Sequence, residues 1–273
     1  MNISNTVNPV INFEESFFNT DKTYIHSTAI IGTNVKLGNN VKVGPYCILV
    51  GDITIGDNSV IYANTIIGMP AQNLDTQKSL GSIEIGKNCK IREFVTIGAS
   101  KYENGKTIIG DNCYIMTYCH IAHDVVLENN VTLISNVNLG GHVYIEHHAF
   151  LMANSAVHQF CRIGQFTSLA PYSAIRQDLP PFGMFSGLPA NFFGLNLIAL
   201  KRAGFTLESI NNIKHVAKLF YQDKFLINEI EKQSQENLWG KDLNVINFIN
   251  FIKNSSRGVS KKSALNKADN IGE

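Results

Sequence analysis

Aliphatic residues return at every sixth position along most of this chain. Ile25, Ile31, Leu37, Val43, Leu49, Ile55, Ile61 and Ile67 hold one register, which resumes at Ile85, Ile91 and Ile97. From Ile109 it runs on through Ile115, Ile121, Leu127, Leu133, Leu139, Ile145, Leu151, Val157, Ile163 and Leu169 to Ile175. A period of six suits neither the 3.6-residue helix nor the two-residue strand. It predicts a parallel β-solenoid in which three six-residue segments close one triangular turn, so that each aliphatic residue stacks on its equivalent 18 positions on. Neighbouring turns should lie ~4.8 Å apart, the spacing of paired strands. The residue after the aliphatic one is often glycine (Gly32, Gly38, Gly44, Gly56, Gly68, Gly86, Gly110, Gly140, Gly164), which suggests a corner where a Cβ would be strained. The fourth residue after it is small or β-branched. All the cysteines (Cys47, Cys89, Cys113, Cys119, Cys161) fall there, as interior fillers rather than ligands or nucleophiles.

The register divides the chain. Residues 1–22 precede the solenoid, though Phe13, Phe17 and Phe18 suggest that part of them packs somewhere. The solenoid should occupy residues 23–190, with polar loops ejected at 70–82 and 99–107, where binding function often resides. After Pro180-Pro181 the spacing turns helical, with Leu195, Leu200, Ile210, Ile213, Val216 and Phe220 on one face, so residues 191–259 are expected to form a small α-helical domain. Thr206 is placed to cap one of its helices. The Lys-, Ser- and Asn-rich stretch 260–273 is expected to be disordered.

Charge narrows the function. With 23 Lys+Arg against 22 Asp+Glu in 273 residues, no global field points to nucleic acid. No apolar run is long enough to span a bilayer and no leader pattern opens the chain, so no stable membrane insertion and a cytoplasmic location are expected. Of eight histidines, six lie between positions 120 and 158. The 18-residue turn puts Ala122-His123-Asp124, Gly140-Gly141-His142 and His158-Gln159-Phe160 at one corner of three successive turns. His147 and His148 stack on Gln165 and Phe166 at another edge, which reads as surface. No HxxxH or carboxylate-rich set accompanies the cluster, so no metal is expected.

Several strings together carry a resemblance: His120-Ile121-Ala122-His123-Asp124, Gly140-Gly141-His142-Val143, Ala156-Val157-His158-Gln159-Phe160-Cys161 and Gln177-Asp178-Leu179-Pro180-Pro181. Phe193-Gly194-Leu195-Asn196, Leu200-Lys201-Arg202-Ala203-Gly204-Phe205 and Ser256-Arg257-Gly258 continue it. Over residues 22–259 the chain resembles the hexapeptide-repeat acyltransferases, and among them those that O-acylate UDP-N-acetylglucosamine at the start of lipid A synthesis. The resemblance implies an all-β left-handed parallel β-helix with a small C-terminal α-helical domain, and a homotrimer with active sites between subunits. It implies a 3-hydroxyacyl donor on acyl carrier protein, UDP-N-acetylglucosamine as acceptor, and no cofactor beyond the carrier's phosphopantetheine. His123 matches the general base, Asp124 the residue that orients it, and Gly141 the backbone N–H that holds the oxyanion. His120, His142, His158 and Gln159 match positions that bind or orient sugar and acyl chain, and Gln72 and Asn73 the loop that meets the sugar. Asn196, Lys201 and Arg202 match a nucleotide- and phosphate-contacting strip, and Ala170-Pro171 the position that measures acyl length.

The chain also departs from that pattern. Gly98-Ala99-Ser100-Lys101 stands where the family usually has His-Arg-Gly-Thr, and Asn73 and Asp75 stand where Asp and Lys are common. The solenoid begins about one turn later than usual, and Ala170-Pro171 replaces a frequent Gly-Gly, which should close the acyl groove earlier. Two other readings compete: an N-acyltransferase acting on the amine of a related nucleotide-linked amino sugar, and a catalytically silent trimeric scaffold. A scaffold would need none of His123, Gly141 and Gln159.

Overall fold

The structure, a computed structural model, describes Phe17, residues 21–72 and residues 81–261. Its short strands wind into three parallel sheets that form the sides of a triangular prism. The first face runs from Tyr24–Ile25 to Ser168–Leu169, the second from Ile30–Ile31 to Ala174–Ile175, and the third from Val35–Leu37 to Arg162–Ile163. The register is the predicted one: Ile121 pairs with Leu139, and Leu139 with Val157, which pairs with Ile175. Where the loops intervene the period lengthens without a change of register, Ile97 pairing with Ile67 on one side and Ile121 on the other. Ser82–Ile85 and Lys106–Ile109 are strands paired with each other, so both excursions rejoin the coil slightly before their expected ends.

From Val43 onward the aliphatic residues of the register are buried, and Ile121, Leu139 and Val157 lie in one continuous core, while Ile25 at the open end is exposed. The cysteines are free and buried. The thiols of Cys47, Cys89, Cys113 and Cys119 donate to carbonyls of the next turn, as Cys47 Sγ does to Tyr62 O at 3.0 Å, and burial raises the pKa of Cys47, Cys119 and Cys161. Corner geometry differs from the expectation. Gly68 (φ 98°) apart, the left-handed residue is not the glycine but the residue two places further on, such as Asn40 (φ 55°), Asn58 (φ 59°), Asn130 (φ 62°) and Asp124 (φ 61°). Asparagine and aspartate tolerate that region because their short polar chains bond locally. The glycines are needed for contact instead: a Cβ on Gly56 would come within 2.7 Å of the Gly86 backbone one turn on.

The coil is closed at its C-terminal end by a hairpin, Gly183–Gly187 with Ala190–Leu195, that continues the first face. Phe182 and Phe185, fully buried, plug the prism beneath it. Leu195 therefore ends a strand rather than lying on a helix, because Ala190 and Phe192 alternate inward against that plug. Four helices follow: α1 (Leu197–Arg202), α2 (Leu207–Tyr221), α3 (Ile227–Glu236) and α4 (Leu243–Lys253). Thr206 caps α2, its hydroxyl accepting from Ser209 N at 3.1 Å. The segment after α4 returns to the coil, where Ser255 Oγ donates to the buried Asp178 carboxylate at 2.7 Å. Phe17 is buried edge-on against Tyr24 and Tyr62 near the open end. Phe13, Phe18 and nearly all of 260–273 lie outside the described residues. Among the described residues no helix is long and apolar enough to cross a membrane.

Candidate active site

The corner between the second and third faces carries the chemistry. The strand His120–Ile121 ends there, and Asp124 takes the left-handed corner position, which turns its carboxylate back under the preceding residue. Asp124 Oδ2 lies 2.8 Å from His123 Nδ1. A carboxylate can only accept, so Nδ1 carries the imidazole proton and Nε2 presents its lone pair. His123 is 9% exposed, enough to reach a substrate while most of the ring stays out of water.

Gly141 lies one turn on. A Cβ there would come within 2.6 Å of His123 Cε1 and 2.7 Å of Nε2, so only glycine lets the ring occupy this place. At the equivalent position of the corner between the third and first faces, the backbone N–H is capped by a carboxylate of the turn before. His147 N–H donates to Glu128 and Gln165 N–H to Glu146, each at 2.9 Å. Among the described residues, Gly141 N–H has no such cap. A bare donor beside a bare imidazole nitrogen is the arrangement an attacked carbonyl requires.

Two further histidines frame the pair. His142 stacks on Phe160 at 4.5 Å between ring centroids and meets the His123 ring edge-on at 5.2 Å. Its Nε2 is 3.8 Å from Asp124 Oδ2, too long for a hydrogen bond. Burial lowers the His142 pKa, with the Asp124 charge pulling the other way. His120 sits on the second face with Nδ1 2.7 Å from Thr96 Oγ1, and burial lowers its pKa too. His120 and His123 share a cavity of about 120 Å³ with Met69, Gln72 and Thr96, which brings the start of the first loop to the same corner. Asn73 lies outside the described residues. One nitrogen each from His123 and His142 and an Asp124 oxygen lie within 4.8 Å of one another. The His123–Asp124 contact nonetheless has the length of a charge-assisted hydrogen bond and accounts for both groups.

Other predicted residues sit further off. His158 and Gln159 are exposed one turn beyond Gly141, and His158 Nδ1 lies 3.3 Å from Arg257 Nη2. Asn196 caps α1, accepting from Ala199 N at 3.4 Å, and donates to Phe166 O at 3.0 Å. That ties α1, with exposed Lys201 and Arg202 in its last turn, to the corner between the third and first faces. Within one chain this strip therefore hangs across the third face from His123. Ala170 and exposed Pro171 occupy the remaining corner, between the first and second faces. Sequence reasoning gave no role to Thr96 or to the second-loop residues Ser100, Tyr102 and Thr107: the loop lies outside the six-residue period, and Thr96 carries only a neutral hydroxyl on a strand.

Comparison with known proteins accords with this geometry. A family model for domain 2 of UDP-N-acetylglucosamine O-acyltransferase matches residues 178–260, and the bacterial transferase hexapeptide model matches residues 34–68 and 106–141. The acyl-[acyl-carrier-protein]–UDP-N-acetylglucosamine O-acyltransferase of Campylobacter lari is 39% identical over 93% of this chain and 95% of its own length. Its counterpart from Bartonella henselae is 38% identical over 86% and 92%. The solved UDP-N-acetylglucosamine acyltransferase from Campylobacter jejuni superposes with a TM-score of 0.78 at 31% identity, covering 89% of this chain and 99% of that one. The Francisella novicida enzyme gives 0.76 at 30% identity, covering 91% and 99%. The coil is thus the left-handed parallel β-helix that the resemblance implies. With most of both chains aligned at such identities, this chain belongs to the family of acyl-[acyl-carrier-protein]–UDP-N-acetylglucosamine O-acyltransferases.

Proposed function

We propose that the protein transfers a 3-hydroxyacyl group from acyl carrier protein to the 3-hydroxyl of the glucosamine ring of UDP-N-acetylglucosamine, opening lipid A synthesis. The observation that carries this reading is His123, held at Nδ1 by Asp124 with its ring packed closely against Gly141, whose N–H is uncapped. His123 Nε2 takes the acceptor's hydroxyl proton as that oxygen attacks the thioester carbonyl. The carbonyl oxygen gains the negative charge and is held by Gly141 N–H. Collapse breaks the carbon–sulfur bond, and the leaving thiolate recovers the proton from His123. Asp124 steadies the imidazolium between the two transfers. Transfer is direct, since every cysteine is buried in the coil and out of a donor's reach, and the sequence of steps calls for no metal or cofactor.

His120, His142, His158, Gln159, Gln72 and Asn73 would bind or orient sugar and acyl chain. Lys201 and Arg202 would meet the pyrophosphate, with Asn196 fixing the helix that carries them. Because that strip stands across the third face from His123 in one chain, the site is complete only when a second copy supplies it. A homotrimer of parallel coils would do so. Acyl carrier protein and nucleotide-sugar are cytoplasmic substrates, which assigns the protein to that compartment. The relatives' names specify O-acylation, which favours a hydroxyl over the amine of a related sugar.

Incubation with 3-hydroxyacyl carrier proteins of graded length and UDP-N-acetylglucosamine tests the reaction. His123→Ala should fold and assemble yet lose at least ~10²-fold in turnover, the worth of a positioned base. Near-normal turnover in that variant would remove His123 from the role. A monomer by sedimentation that is fully active would refute the shared site.

A further inference from the structure

The second loop is built around Asp124. Ser100, fully buried, donates its hydroxyl proton to Asp124 Oδ1. The same hydroxyl oxygen accepts from Tyr102 N at 3.1 Å, and its single proton goes to the nearer, charged carboxylate rather than to the Tyr102 carbonyl at 3.4 Å. Lys101 N–H approaches Asp124 Oδ2 at 3.4 Å from the same turn. Asp124 N donates to Thr107 Oγ1 at 2.9 Å, and that hydroxyl donates to Gly98 O at 2.8 Å, so both ends of the loop are fastened to the catalytic corner. Tyr102 completes the cover, its ring 5.8 Å from that of His142. The fit leaves no slack, since a Cβ on Gly105 would lie 2.1 Å from Ser100 Oγ and 3.0 Å from Asp124 Oδ1.

This division of the carboxylate has a chemical consequence. Oδ1 belongs to Ser100 and Oδ2 to His123, so the group cannot rotate to offer an oxygen to His142, whose Nε2 waits 3.8 Å from Oδ2.

We propose that Ser100 is a positioning residue for acyl transfer, fixing the Asp124 carboxylate so that His123 keeps its proton on Nδ1 and its lone pair toward the acceptor. Without the hydroxyl, Oδ1 would stay desolvated and unbonded, and the carboxylate would turn toward His142 or swing from the ring. The proposal rests on the reading of His123 as base, and the test separates the two.

Turnover, KM and the pH profile should be measured for Ser100→Ala, Ser100→Cys, Asp124→Asn, the Ser100→Ala/Asp124→Asn double variant and His123→Ala, with melting temperature and oligomeric state as controls. Ser100→Ala should lose about 10-fold in kcat with KM for UDP-N-acetylglucosamine unchanged, as expected when a hydrogen bond to a charged group is removed. The acidic limb of its kcat/KM profile should move to lower pH, because a carboxylate that has turned from the ring holds the imidazolium less firmly. Ser100→Cys, retaining a weak donor, should fall between, and it serves as the working variant if Ser100→Ala does not fold. On the Asp124→Asn background Ser100→Ala should cost nothing further. The same fold loss on both backgrounds would make Ser100 merely structural and overturn the proposal, as would a wild-type kcat and pH profile in Ser100→Ala. An active His123→Ala would instead sink the base assignment from which the proposal starts.

Discussion

Gly141→Ala isolates the geometry of the site with a single methyl. The new Cβ would stand 2.6 Å from His123 Cε1 and 2.7 Å from Nε2, against an ordinary contact of 3.4 Å or more. The ring must therefore retreat by about 0.8 Å, since overlapping carbon atoms repel steeply inside contact distance. It cannot retreat freely, because Nδ1 is anchored 2.8 Å from Asp124 Oδ2. Either that bond stretches beyond hydrogen-bond range or the ring tilts and Nε2 leaves its line to the acceptor. A displacement of this size at a reacting group costs ~10² in rate, so kcat should fall by about that factor. The Gly141 N–H and the sugar-binding residues remain, so KM for UDP-N-acetylglucosamine should change by less than about 3-fold. The inward Leu139 of the same turn is untouched, so the loss of stability should stay near ~1 kcal/mol, typical of mild overpacking. The assay is steady-state release of free carrier thiol, with melting temperature and sedimentation as controls. Combined with His123→Ala, the methyl should cost little more, because both changes remove one function. A Gly141→Ala enzyme retaining more than about a third of wild-type kcat, at intact assembly, would refute the packing argument.

Three other outcomes follow from the same coordinates. His120 has its pKa lowered by burial, so the unfolded chain binds its proton first; stability should be full above the ordinary imidazole value of about 6.5 and decline as pH falls through and below it. His120→Gln should flatten that part of the melting-temperature profile, and an unchanged slope would contradict the assignment. Leu139→Ala opens a void between Ile121 and Val157 in the turns on either side and should cost ~2–5 kcal/mol in denaturant unfolding; a loss under about 1 kcal/mol would mean the coil collapses around the gap. Pro171 stands exposed at the corner between the first and second faces and matches the length-measuring position of the resemblance, so Pro171→Gly should shift donor preference toward longer 3-hydroxyacyl chains. Each added methylene is worth ~0.8 kcal/mol of burial, and identical chain-length profiles for the two enzymes would place the ruler elsewhere.

The sequence by itself determined the solenoid, its three faces and which residues stack. A residue's place in a six-residue period decides whether it points inward, and the period survives both loops. For that reason Ile121, Leu139 and Val157 could be stacked, and His123, Gly141 and Gln159 assigned to one corner, before any coordinates. What the period cannot contain, it could not reveal. The hydroxyls of Ser100 and Thr107 lie in a segment with no repeat, and only the path of the folded loop brings them to Asp124. The reason for the glycines also belonged to the tertiary structure, because the clash a Cβ would cause comes from the next turn rather than from local backbone strain. Leu195 passed for a helical residue because four apolar positions can satisfy either period over a short span; the buried plug of Phe182 and Phe185 made the segment a strand. The bareness of Gly141 N–H was likewise invisible in sequence, since it depends on which corners receive a carboxylate from the turn below. Local periodicity thus fixes where a side chain can point, while contacts between distant segments decide which of those side chains become a site.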